Sequence, residues 1–91
     1  MSFSTVDFKA FEKKVASAID SAESLEEIET FLRSQPGVKS VQLTDYLMKS
    51  NPPQREFIVE FSMRDGSTVK KVINIFDLGN QQFEFNELRD E

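Results

Sequence analysis

The sequence predicts an α+β fold in which two N-terminal helices pack on one face of a four-stranded antiparallel meander sheet. Before Pro36-Gly37, apolar residues recur every three or four positions, as they do on the buried face of a helix. After that pair they alternate with polar residues, as along a half-buried strand. Turn-forming segments at Asp65-Gly66 and Asp77-Leu78-Gly79-Asn80 separate the later strand patterns, so consecutive strands are expected to pair in the order 1-2-3-4.

The first helix is predicted over about residues 5–22. Ser4 and Asp7 have the hydroxyl-x-x-carboxylate spacing that is typical of a helix N-terminus. The apolar residues that follow recur at helical spacing and would form one face: Phe8, Phe11, Val15, Ile19 and Ala22. This segment is therefore expected to be an amphipathic helix.

The second helix is predicted over about residues 25–35. Ser24 and Glu27 have the spacing of a capping box, and Pro36-Gly37 is expected to end the helix. Its inner face would contain Leu25, Ile28 and Leu32, with Phe31 beside them. Almost no connection separates the two helices, which favours a tight corner or a kinked single helix.

The four strands are predicted over about residues 38–48, 55–63, 67–76 and 81–86, followed by a polar tail. Helices and sheet would share one core, and its expected members are Phe8, Phe11, Val15, Ile28, Leu32, Val41, Leu43, Phe57, Val59, Phe61, Ile73 and Phe83.

The turn at Asp65-Gly66 also predicts the register of the two strands that it joins. A two-residue loop would pair apolar with polar residues and mix the two faces of the sheet. A three-residue loop, Arg64-Asp65-Gly66 with Gly66 in a left-handed bulge, keeps the faces separate. It pairs Phe61 with Val69, Phe57 with Ile73 and Glu60 with Lys70. We therefore predict this second register.

Composition narrows the chemistry that the protein can perform. Its 91 residues are enough for one small domain and too few for two with separate cores. The absence of cysteine and histidine removes disulfides, thiolate nucleophiles and the usual soft metal ligands. A net charge of −5 disfavours nucleic acid and anionic membranes as partners. Without a signal-peptide pattern or a membrane-spanning stretch, a cytoplasmic location is expected, and no pattern predicts a cofactor.

Patterns that resemble catalytic or metal sites have simpler explanations. Ser67 and Lys70 have the spacing of a serine–lysine pair, but residues three apart on a strand point to opposite faces. Glu56 and Glu60 would lie about 13 Å apart on one strand, too far for a glycosidase pair, and are expected to be solvated. One further cluster of acidic residues consists of Glu23, Glu26, Glu27 and Glu29. It could in principle bind a hard cation, but three of its members are expected in or near the first turn of the second helix, where the helix dipole stabilises negative charge.

Two charged residues interrupt the apolar side of the strands. Asp45 falls between Leu43 and Leu47, and Lys71 falls between Val69 and Ile73. A charge on a core-facing position is costly unless it is paired or near the rim. One interpretation is a Phe-lined pocket under the helices with Asp45 and Lys71 as its polar groups. The alternative is that both lie near the ends of the sheet or protect an edge strand.

The opposite face of the sheet carries more apolar residues than a solvated face requires. Those expected to point away from the helices are Tyr46, Met48, Ile58, Val72 and Phe76. If they are contiguous, they form a candidate interaction surface, and otherwise they are scattered apolar residues of the kind found on any surface. Because the first strand is an edge with few charges, a homodimer through this face or edge is one hypothesis.

The junction from Leu32 to Val41, with its P-G-V-x-x-V pattern, is similar to helix-to-strand junctions of ferredoxin-like domains. The resemblance covers about ten residues, and two helices before all the strands depart from that family, so it implies no function. The sequence instead favours a non-enzymatic cytosolic module that binds a protein partner or itself. The alternatives are a small-ligand-binding domain with the pocket described above and, more remotely, a carboxylate- or lysine-dependent enzyme.

Overall fold

The computed structural model describes residues 7–49 and 51–91, and for residues 46–48 it describes the backbone alone. The helices and strands are α1 (Phe8–Ser21), α2 (Leu25–Arg33), β1 (Val38–Met48), β2 (Gln54–Ser62), β3 (Thr68–Gly79) and β4 (Gln82–Asp90). The strands form one antiparallel sheet in the order β1-β2-β3-β4. Both helices pack against one face of it, with α1 closest to β4 and α2 closest to β1. The predicted α+β meander is therefore confirmed.

The helix starts are determined by side chains that accept hydrogen bonds from free backbone N–H groups. Asp7 caps α1, because its Oδ1 accepts from the backbone N–H groups of Lys9 and Ala10, both at 3.1 Å. The predicted start near residue 5 was too early, and Ser4 lies outside the described residues. Ser24 caps α2 as predicted, with its Oγ accepting from the Glu27 N–H at 3.1 Å.

The predicted register between β2 and β3 is confirmed. Phe61 pairs with Val69, and Phe57 pairs with Ile73. Gly66 has a φ of 89°, which is the left-handed conformation that the three-residue loop requires. The faces of the two central strands are therefore separated as the sequence indicates.

The core lies between the helices and the sheet and is centred on phenylalanine rings. Phe61 is fully buried, and the rings of Phe8 and Phe11 meet it edge-on at centroid distances of 5.1 and 5.0 Å. Phe8 and Leu43 pack at its margin, and every other predicted core residue is buried. The buried members are Phe11, Val15, Ile19, Ala22, Ile28, Leu32, Val41, Phe57, Val59, Phe61, Ile73, Ile75 and Phe83.

The last hairpin is longer than predicted. The turn is formed by Asn80 and Gln81, whose φ angles of 53° and 63° are those of a type I′ turn. Because the turn lies later than the predicted one, Asp77 and Leu78 belong to β3. β4 continues to Asp90, so most of the predicted polar tail is a strand.

Candidate functional site

Two buried polar side chains, Glu56 and Asn74, lie on the sheet face opposite the helices. Glu56 is 8% exposed and Asn74 is 2% exposed. The Asn74 amide donates to Glu56 Oε2 at 2.9 Å, and the Asn86 amide donates to Asn74 Oδ1 at 2.9 Å. The Arg89 guanidinium donates to both oxygens of Glu56, at 2.8 and 3.2 Å. These four residues are called the polar cluster below.

The contact between Arg89 and Glu56 crosses a strand. Arg89 lies on β4 and Glu56 on β2, with β3 between them. In the register, Arg89 pairs with Val72 of β3. Val72 is only 4% exposed, although it is not part of the core under the helices. Arg89 thus lies opposite a buried valine on β3, while its charged end reaches β2.

The polar cluster has the electrostatics of a satisfied ion pair. Burial alone raises the pKa of Glu56, but the hydrogen bonds from Arg89 and Asn74 and the charge of Arg89 outweigh it, so the pKa lies below 4.5. A general acid at neutral pH needs a raised pKa instead. This arrangement is suited to ordering the outer face of the sheet.

The expectation that Glu56 is solvated was wrong. Its partner Arg89 lies in the segment that was predicted to be a polar tail, so no partner for a buried carboxylate was expected. The pairing of Glu56 with Asn74 follows from the predicted register, because both residues lie opposite each other on β2 and β3. A carboxylate opposite an asparagine on two central strands was the signal that could have indicated the cluster.

The predicted interaction surface is only partly exposed. Ile58 and Phe76 are half-buried, and Val72 offers almost no surface to a partner. The side chains of Tyr46 and Met48 lie outside the described residues. Among the residues whose exposure is described, the large apolar side chain that is most open to solvent is that of Leu78, which is 45% exposed.

The two predicted pocket residues, Asp45 and Lys71, lie on β1 and β3, with β2 between them. Asp45 is exposed, because the register of β1 shifts between Leu43 and Leu47 and interrupts the alternation on which its predicted orientation depended. The Lys71 ammonium forms an ion pair with Asp90 and lies 4.5 Å from the centre of the Phe8 ring. Lys71 is therefore partnered at the margin of the core, and neither residue borders the two cavities described below.

The acidic cluster of α2 has local partners. Glu27 accepts a hydrogen bond from the Glu23 N–H at 3.4 Å, close to the start of the helix. Glu29 pairs with Arg33 at 2.8 Å. In the part of the chain that the structure describes, no three carboxylates are gathered as a metal ion would require.

Both edge strands are contacted by a charged side chain from a helix. On β1, the Arg33 guanidinium donates to the Val41 carbonyl at 2.9 Å. On β4, Asp20 Oδ1 accepts from the Phe85 N–H at 3.4 Å, a long hydrogen bond on the surface. The β1 edge is also irregular, since three of its residues lie opposite the single residue Glu56. The β1 edge, which was predicted to carry few charges, thus has one carbonyl with a side-chain partner and one irregular segment.

Helix α1 is flanked by two concavities. The first, called the β4 groove below, is shallow and lined by Lys9, Glu12, Lys13, Ala16 and Phe85. The second, called the turn cavity below, has a volume of about 320 Å³ and lies between α1, the Pro36-Gly37 turn and the end of β2. Because the two are lined by different faces of α1, each can be altered without the other.

Comparisons with protein-family models, with curated proteins and with solved structures found no match. In residues 7–49 and 51–91, neither helix combines the length and the apolar character needed to cross a membrane. A proposal for function therefore depends on the geometry of the chain itself.

Proposed function

We propose that this protein is a non-enzymatic binding module that takes up an extended segment of a partner protein along the edge of β4. The observation that carries the proposal is a nine-residue edge strand beside a groove. An edge strand presents backbone donors and acceptors to which an extended peptide can add as a further strand. The groove gives the side chains of such a peptide a surface to contact.

The side chains of β4 favour a particular kind of partner. On the outer face, Glu84 and Glu87 are exposed. On the helix side, Phe85 and Leu88 are half-buried and pack against the core. A strand added beside β4 places its own side chains alternately next to these two rows on either side of Asn86, where β4 contains one extra residue. The expected partner segment therefore alternates Lys or Arg with apolar residues, which also suits the net charge of −5.

The other edge of the sheet is a poorer site for strand addition. Arg33 already donates a hydrogen bond to the Val41 carbonyl. The irregular segment that follows Leu43 has three residues opposite one, whereas β4 has a single extra residue at Asn86. On β4, the Phe85 N–H donates a long hydrogen bond to the Asp20 carboxylate. A bound peptide must replace this acceptor with one of its own carbonyl groups. Because this exchange opposes binding, removal of the Asp20 carboxylate is expected to strengthen it.

The test uses a capped hexapeptide of alternating lysine and valine, titrated into the full chain and followed by NMR. We expect saturable shifts in the amide signals of β4 and of the α1 residues that line the β4 groove. A peptide of the same sequence with N-methylated valines has lost its edge donors and is expected to bind at least tenfold more weakly. Equal binding of the two peptides, or shifts confined to residues outside β4 and the β4 groove, would contradict the proposal.

Variants separate the charge from the backbone contribution. Glu84→Gln and Glu87→Gln are expected to weaken binding about threefold each. Glu26→Gln is the matched control, since Glu26 is an exposed acid on α2, away from the β4 edge. Asp20→Ala is expected to tighten binding. If Glu26→Gln weakens binding as much as Glu84→Gln, the peptide is responding to overall charge and not to β4.

A further inference from the structure

The turn cavity has the size and lining of a small-molecule site. Its walls include the apolar side chains of Ala10, Phe11, Pro36 and Met63. A volume of about 320 Å³ lies at the lower end of the range for ligand pockets. At about 30 Å³ for each water molecule, the space holds about ten waters, which corresponds to a ligand of about ten non-hydrogen atoms.

The wall formed by the loop is held in place by backbone hydrogen bonds. The Val38 N–H donates to the Gln35 carbonyl at 3.2 Å, and Gly37 has a φ of 83°, as in a type II turn with Pro36 at its second position. The Ser62 N–H donates to the Gly37 carbonyl at 2.8 Å and ties this turn to the end of β2. A cavity bounded by such a turn is preformed and needs little reorganisation to accept a ligand.

The charged groups around the turn cavity favour an anion. Lys14 of α1 and Arg64 of the β2–β3 loop border it. Asp7 is the acidic residue among its lining residues, and the Asp7 carboxylate already accepts two hydrogen bonds from the first turn of α1. Lys14 therefore supplies a cation at the wall of the cavity, where the carboxylate of Asp7 is already partly compensated.

We propose that the turn cavity binds a small amphipathic carboxylate of about ten non-hydrogen atoms. The apolar part of the ligand contacts Phe11 and Met63, and its carboxylate lies beside the ammonium group of Lys14. This site lies on the other side of α1 from the β4 groove, so it is independent of the proposed peptide binding.

The probe for this proposal is octanoate, which has an eight-carbon chain and one carboxylate. Titration into the full chain, labelled with ¹⁵N, is expected to shift the amide signals of Ala10, Gly37 and Met63 in a saturable way. Octanol has the same chain without the charge and is expected to bind about three- to tenfold more weakly, while octylammonium is expected not to bind. Absence of saturation with octanoate, or equal binding of octanol, would overturn the proposal.

Two pairs of variants locate the site. Lys14→Gln is expected to weaken octanoate binding about three- to tenfold, while Lys13→Gln, which changes the β4 groove instead, leaves it unchanged. Ala10→Trp fills the turn cavity and is expected to abolish binding, whereas Ala16→Trp fills the groove and is expected to preserve it. Thermal unfolding of each variant confirms that it is folded. Equal effects within either pair would place octanoate elsewhere, whatever the outcome with the lysine–valine peptide.

Discussion

The Arg89 guanidinium reaches over β3 to bind both carboxylate oxygens of Glu56, at 2.8 and 3.2 Å. The two residues lie on strands that are not neighbours, so the contact ties β4 to β2 independently of the backbone ladder. The outer face of the sheet therefore also contains buried residues, namely Val72, Glu56 and Asn74.

The first prediction concerns the strength of this tie. Arg89→Ala and Glu56→Ala are each expected to lower the free energy of unfolding by about 1–3 kcal/mol, because either change removes both hydrogen bonds between the guanidinium and a buried carboxylate. The double variant is expected to lose less than the sum, with a coupling of about 1–2 kcal/mol. Glu87→Ala removes an exposed partner of Arg89 and is the control, expected to cost below about 0.5 kcal/mol. Additive losses in urea unfolding would show that the pair contributes no coupling.

The second prediction is a pH dependence. The pKa of Glu56 is lowered in the folded chain, so the stability that its ionised form contributes is complete above the ordinary value of 4.5 and is lost as pH falls through the lower folded value. The stability difference between the wild type and Glu56→Gln is therefore expected to be largest at neutral pH and to shrink at more acidic pH. Denaturant unfolding from pH 7 to about pH 3 measures it. A stability difference that grows on acidification would contradict the lowered pKa of Glu56 in the folded chain.

The third prediction concerns the centre of the main core. Phe61 is fully buried and meets the rings of Phe8 and Phe11, so Phe61→Ala is expected to cost about 3–5 kcal/mol in urea unfolding. Leu78→Ala removes a large apolar side chain that is 45% exposed and is expected to cost below about 1 kcal/mol. A loss below about 1 kcal/mol for Phe61→Ala would be incompatible with its position.

The fourth prediction concerns the loop that sets the register. Gly66 has a φ of 89°, and a methyl group built there meets nothing within 4 Å. The cost of Gly66→Ala is therefore backbone strain alone, about 1–2 kcal/mol. Gly66→Asn is expected to cost less, because asparagine tolerates left-handed conformations better than alanine. Equal costs for the two variants would assign the effect to something other than the backbone.

The fifth prediction concerns self-association through the outer face. If a homodimer forms there, Ile58→Glu is expected to dissociate it and leave a folded monomer, because Ile58 is half-buried. Val72→Glu does not make the same test, since Val72 is 4% exposed and its replacement is expected to destabilise the monomer. Sedimentation at about 50 µM, well above a micromolar dissociation constant, measures the oligomeric state. A monomer at that concentration would refute the dimer.

The fold was largely predictable because local signals agree with one another. Helical spacing from Phe8 to Ala22, the cap at Ser24 and the Arg64-Asp65-Gly66 loop each indicate the element that the structure contains. The loop length even gave the pairing of Phe61 with Val69, since a shift of one residue exchanges the two faces of a strand.

The site residues were harder to predict because they depend on contacts between elements distant in the chain. The sequence left two interpretations of Asp45 open, because its alternation does not reveal the shift in β1 register beside which Asp45 is exposed. The role of Arg89 was missed because β4 extends beyond its last aromatic residue, and because a side chain that crosses a strand leaves no periodic pattern. The turn cavity likewise combines α1, the Pro36-Gly37 turn and β2, which only the packed structure brings together.

The placement of the helices has a consequence for the order of folding. Helix α2 lies closest to β1, the element that follows it, whereas α1 lies closest to β4, the last strand. Contacts between distant parts of a chain form at a larger entropic cost than local ones. Val15→Ala in α1 is therefore expected to speed unfolding more than it slows folding, and Val41→Ala in β1 to do the reverse. Docking of the first helix would then be the step that completes folding.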